Sequence, residues 1–98
     1  MTNNKPHWDL CYKIIGIAQQ LATSYLKQNP PLEIDSALLH DKFRDDINNE
    51  LNLQGIHSVT EEHFPKPLRE GLVKGQKVRH FADIMVQDSV LVEIKCGN

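Results

Sequence analysis

Two carboxylates and a lysine, Asp83, Glu93 and Lys95, are the residues of this chain whose types and spacing could do chemistry. They lie in R-H-F-A-D-I-M-V-Q-D-S-V-L-V-E-I-K-C, Arg79–Cys96, where two runs rich in Val, Ile, Leu and Phe flank Gln87-Asp88-Ser89. That pattern predicts a β-hairpin. With Gln87-Asp88-Ser89 as a three-residue loop, Val86 faces Val90, Ile84 faces Val92 and Ala82 faces Ile94, all apolar. The opposite face pairs Met85 with Leu91, Asp83 with Glu93 and Phe81 with Lys95. A slip of one residue would carry polar groups onto the buried face, so the apolar pattern selects this register. Like charges directly opposite on neighbouring strands repel. A divalent cation turns that cost into a gain, because hard cations such as Mg²⁺ choose carboxylate oxygens. The same spacing also suits a solvated face on which Asp83 and Glu93 pair with Arg79 and Lys95.

The chain that must position these groups has 98 residues, enough for one small domain, 1–98, with a modest core. Its 40% hydrophobic and 24% charged residues are ordinary for a globular protein and argue against disorder. A net charge of −2 leaves no global nucleic-acid footprint, but the charge is unevenly spread. From Glu33 to Glu50 six acids stand against Lys42 and Arg44; from Lys66 to His80 five bases stand against Glu70. The basic stretch, with Lys74, Lys77 and Arg79, leads into the hairpin and suits a phosphate-binding rim or a solvated loop. The N-terminus carries no apolar signal region and no run approaches a membrane span. Two cysteines, Cys11 and Cys96, without a paired C-x-x-C spacing, point to a reduced, cytoplasmic protein. The five histidines show no i,i+4 ligand spacing and read mostly as surface or packing residues.

Apolar residues at Leu10, Ile14, Ile17, Ala18, Leu21, Ala22, Tyr25 and Leu26 predict a helix from about Trp8 to Lys27, with Trp8 as its packing anchor. Asn29-Pro30-Pro31 stops it. Asp35 or Ser36 can cap a second helix, on which Leu39, Phe43, Ile47 and Leu51 recur every four residues. Gly55 stands where a C′ glycine belongs. Ile56–Phe64 then reads as a strand closed by Pro65 and Pro67, and Leu68–Val73 as a second edge, with turns at Gly71 and Gly75. Phe64 and Phe81 read as core residues. Helices before an antiparallel meander give an α+β domain, the sheet laying its apolar face on the helices. That face asks for more cover than two helices give, which motivates a homodimer.

The order of elements and several motifs resemble the GxxExxR protein family of the PD-(D/E)XK nuclease-like superfamily. The resemblance runs through Ile14-Ile15-Gly16, Glu50-Leu51-Asn52-Leu53-Gln54-Gly55-Ile56 and Pro65-Lys66-Pro67. It closes on Phe81-Ala82-Asp83-Ile84-Met85-Val86 and Val92-Glu93-Ile94-Lys95, the most specific part. Three departures accompany it. The namesake glutamate and arginine, counted from Gly16, fall on Gln19 and Ala22. The glutamate of the second helix falls on His40, three residues before Phe43. The superfamily core continues with a further helix and strand, so the resemblance implies a truncated restriction-endonuclease-like core.

That resemblance implies a Mg²⁺- or Mn²⁺-dependent nuclease, with DNA the expected partner. Asp83, Glu93 and the main-chain carbonyl of Ile94 would hold the metal. Lys95 would stabilise transition-state charge rather than act as a base, since its reference pKa is about 10.4. His40 is an additional site residue, as ligand or phosphate donor, or a plain helix-surface histidine. Lys74, Lys77 and Arg79 would meet backbone phosphate, giving affinity without sequence readout. The alternative is a catalytically inactive binding or regulatory module on the same fold.

Overall fold

The computed structural model describes residues 7–28, 30, 34–64 and 82–95. Helices α1 (Trp8–Lys27) and α2 (Ser36–Leu53) precede strands β1 (Ser58–Thr60), β2 (Ile84–Val86) and β3 (Val90–Val92). The strands form an antiparallel meander in the order β1-β2-β3, and the helices pack on it. This is an α+β domain of the predicted kind. The expected edge strand Leu68–Val73, its Gly71 and Gly75 turns, Pro65, Pro67, Lys74, Lys77, Arg79, Phe81 and Cys96 lie outside the described residues. Among the described residues no helix is long and apolar enough to cross a membrane.

Helix α1 turns Ile14, Ile17 and Tyr25 into the interior, with Leu10, Ala18 and Leu21 packed beside them. Ala22 and Leu26, expected on the same face, are exposed. The reason is geometric. Each step of four residues advances the helix face by about 40°, so Ala18, Ala22 and Leu26 walk progressively off the core. Trp8 is also half-exposed and packs edge-on against Tyr12 of its own helix, not as an anchor in the core.

Helix α2 starts at Asp35, whose carboxylate accepts the Leu38 N–H at 2.9 Å and so satisfies one orphan donor. Its end is a Schellman motif. Ile56 N–H reaches Leu51 O at 2.9 Å and Gly55 N–H reaches Asn52 O at 3.0 Å, with Gly55 at φ +81°. The two helices are latched by Tyr25, whose hydroxyl donates to Asp46 while Lys42 bridges the same carboxylate at 3.0 Å. Phe43 meets the Tyr25 ring edge-on.

The hairpin has the predicted register, with Ile84 opposite Val92, Met85 opposite Leu91 and Val86 opposite Val90. Gln87 and Asp88 make the turn with φ of 51° and 54°, and Ser89 N–H closes it on Val86 O at 3.0 Å. Ile84 and Val86 are fully buried with Ile47 and Leu51 of α2. Such side chains contribute about 1.5–3 kcal/mol each against about 1 kcal/mol net for a hydrogen bond, so the apolar face fixes the register. On β3, Val90 and Val92 pack against the same cluster but stay partly exposed.

Two expectations need correction. Ala82 does not continue the Ile84–Val86 cluster; it packs with Phe64 and Met85, because the second face of β2 is buried as well. The strand expected over Ile56–Phe64 is confined to Ser58–Thr60 and gives way to a 3₁₀ turn at Glu61–His63. The turn delivers Phe64, 3% exposed, against Ala82 and Met85. Burial of that ring outweighs the few ladder bonds that a longer edge strand would add.

A Gly55→Ala substitution tests the helix end. An added Cβ meets nothing within 4 Å, so its cost is conformational. Thermal or urea unfolding is expected to show a loss of about 1–2 kcal/mol, whereas an unchanged midpoint would mean that α2 does not end in this way.

Candidate functional site

Just before β2, at Asp83, the hairpin ladder gives way to side-chain bonding. The Asp83 N–H donates to Val92 O at 2.8 Å, the outermost backbone bond of the pair among the described residues. The next donor, Ile94 N–H, bonds instead to the Asp83 carboxylate, Oδ2, at 2.6 Å. Oδ1 lies 3.0 Å from His40 Nε2 on α2. Asp83 is 1% exposed, so this carboxylate is desolvated and its oxygens are met by N–H groups from two different elements. Bonds to an ionised oxygen are the strong kind, which is what a buried carboxylate requires.

His40 leads to a polar chain along α2. Its Nδ1 lies 3.2 Å from Asp41 Oδ1, which also accepts from Arg44 Nη1 at 3.3 Å, and Arg44 Nε donates to Asp45 at 2.9 Å. The Asp45 hydrogen bond holds the Arg44 guanidinium above its usual range, against burial, and the fields of Asp45, Asp41 and Asp83 add to it. Arg44 was not among the residues expected at the site. The signal was available: it sits one turn, four residues, after His40 and on the same side of α2.

The paired register ends at Ile84 and Val92, so Asp83 and Glu93 lie just beyond it, and the two carboxylates do not share an environment. Asp83 is buried, while Glu93 is exposed and pairs with Lys95 at 3.4 Å. The structure brings Asp83 and His40 together, and it brings Glu93 and Lys95 together. Ile94 serves through its N–H. Lys74, Lys77 and Arg79 lie outside the described residues.

Comparison with family models, with curated proteins and with solved structures finds no match.

A divalent cation needs several donors drawn to one point. Among the described residues no three His, Cys, Asp or Glu side chains gather in that way. The residue types do suit a cation that accepts carboxylate oxygen and imidazole nitrogen. Glu93 is held away only by an exposed ion pair, and such pairs hold a side chain by about 1 kcal/mol or less. A rotamer change at Glu93 is therefore cheap.

Because Ile94 N–H depends on the Asp83 carboxylate, Asp83→Ala is expected to cost roughly 1–3 kcal/mol through an unsatisfied buried donor. Asp83→Asn keeps an acceptor and is expected to cost less. Denaturant unfolding of both variants checks the order, and equal losses would place the Ile94 bond outside the balance.

Proposed function

We propose that this chain is a nuclease-like protein that hydrolyses phosphodiester bonds of nucleic acid, DNA in the first instance, in a reduced, cytoplasmic setting. One observation carries the reading: a buried carboxylate, Asp83, meets an imidazole, His40, beside a hairpin that also presents Glu93 and Lys95. A soluble domain of this size rarely buries an acid without a use for it, and buried ionisable groups concentrate at functional sites. The resemblance to the GxxExxR family, through Asp83, Glu93-Ile94-Lys95 and the two preceding helices, supports the same reading.

In this proposal Asp83, Glu93 and His40 hold Mg²⁺ or Mn²⁺. When bound, the ion polarises a phosphoryl oxygen and lowers the pKa of a coordinated water. Asp83 is the fixed element, since its packing and its bond from Ile94 N–H leave it one orientation. Glu93 is the mobile one, released from Lys95 as it turns inward. Lys95, 85% exposed, is then free to place its ammonium against phosphate charge. Lys74, Lys77 and Arg79 supply, by their charge, further groups for nucleic-acid phosphate.

A second reading has its own support. Asp83 is already bonded to His40 and Ile94, so the same residues serve a binding or regulatory module that needs no turnover. Exposed residues separate the two. Glu93→Gln and Lys95→Ala leave the core untouched, so any loss is chemical. Cleavage of linear and supercoiled DNA and of RNA, with Mg²⁺ or Mn²⁺, is expected to fall by about 10²-fold or more in Lys95→Ala. Glu93→Gln is expected to weaken metal dependence as well. Metal-dependent thermal stabilisation without cutting selects the binding module. Neither effect rejects a metal site altogether.

A further inference from the structure

Helix α1 carries a second line, apolar at five of its six positions and distinct from the one that faces the core. Trp8, Tyr12, Ile15, Gln19, Ala22 and Leu26 follow one another at intervals of 4, 3, 4, 3 and 4 residues. That is the spacing of a coiled-coil seam. All six are exposed, Trp8 by 50%, Tyr12 by 64%, Ile15 by 51% and Leu26 by 76%. A helix that buries one face against its own domain has no need of a regular apolar seam on another.

We propose that this seam is an interface between two copies of the chain, with the α1 helices antiparallel. Three observations select that occupant and orientation. First, the six positions are symmetric about Ile17, so one antiparallel register seats every member: Trp8 against Leu26, Tyr12 against Ala22 and Ile15 against Gln19 of the second copy. This sets the largest rings against aliphatic or small residues, as interdigitating knobs and holes require. A parallel pair would crowd Trp8 and Tyr12 against their own copies and leave Ala22 facing Ala22. Second, Asp9 lies in the first turn and Lys27 in the last. Antiparallel pairing brings each acid near the other copy's lysine and opposes the two helix dipoles, whereas parallel pairing stacks like charges. Third, a groove of about 450 Å³, lined among the described residues by Gly16, Gln19, Gln20, Thr23, Ser24 and Lys27, opens along the flank of the seam. In the antiparallel register the second copy's aromatic end lies over it.

The contact is one helix long, about 30 Å, so it lies at the small end of stable interfaces and dimerisation is concentration-dependent. Gln19 in mid-seam lowers its strength further and sets its register, as a polar seam residue does. This interface is independent of the proposed chemistry, since α1 contributes nothing to the Asp83–His40 site.

Sedimentation equilibrium of the full chain, from about 10 μM to 1 mM, tests it. A monomer–dimer equilibrium is expected for the wild type. Ile15→Glu and Tyr12→Lys are expected to abolish it while circular dichroism stays unchanged, because both positions are exposed. Asp9→Lys alone is expected to weaken association several-fold, and Asp9→Lys with Lys27→Asp to restore it. A wild-type monomer at the highest concentration overturns the proposal, as does a dimer that survives both seam variants. Failure of the double charge exchange to restore association overturns the antiparallel orientation.

Discussion

The contact on which the rest of this structure depends is the buried Asp83 carboxylate, bonded to Ile94 N–H at 2.6 Å and to His40 Nε2 at 3.0 Å. One bond reaches along the hairpin and the other reaches α2, so a single side chain ties the C-terminal strands to a helix forty residues earlier. Desolvation makes the arrangement costly to build and costlier to break, since removing a partner leaves charge or a donor stranded. A second polar joint acts at the other end of α2. There Ser58, 3% exposed, donates to Asn48 Oδ1 at 2.7 Å, and Asn52 Nδ2 bonds to Ser58 O at 3.1 Å. Between these joints lies the apolar contact of Ile47 and Leu51 with Ile84 and Val86. Apolar burial supplies the energy, and the two polar joints supply the alignment.

This arrangement divides the chain's ionisable groups into two sets. Asp83 and His40 belong to the scaffold as much as to any site, because α2 and the hairpin meet through them. Glu93 and Lys95 stand outside, exposed and paired only with each other in that exchangeable way which surface ion pairs have. A fixed inner group and a loose outer pair are what a site that assembles on ligand binding needs.

Much of the fold was legible because its signals are local. Period-two apolar alternation determined the hairpin register down to the pairing of Ile84 with Val92, and the capping residues Asp35 and Gly55 marked both ends of α2. What sequence could not give depends on tertiary approach. β1 stops at Thr60 because Phe64 is drawn into a pocket with Ala82 and Met85, partners some twenty residues away. The spacing left Asp83 open to a metal site or a solvated face; its burial and its contact with His40 of α2 depend on tertiary approach. His40 stands next to Leu39 in the line Leu39, Phe43, Ile47, at the margin of the buried face, a place from which a polar side chain can reach inward. On α1, Ala22 and Leu26 were read onto the core face, since they too are apolar and only the packing separates them from it.

His40 and Asp83 form a coupled pair across the boundary between α2 and the hairpin. A double-mutant cycle of His40→Gln and Asp83→Asn, read by denaturant unfolding, measures that coupling directly. The structure predicts a coupling free energy of about 0.5–3 kcal/mol, the range for groups in one buried network. Additive losses would contradict it and leave the hairpin held to α2 by apolar packing alone.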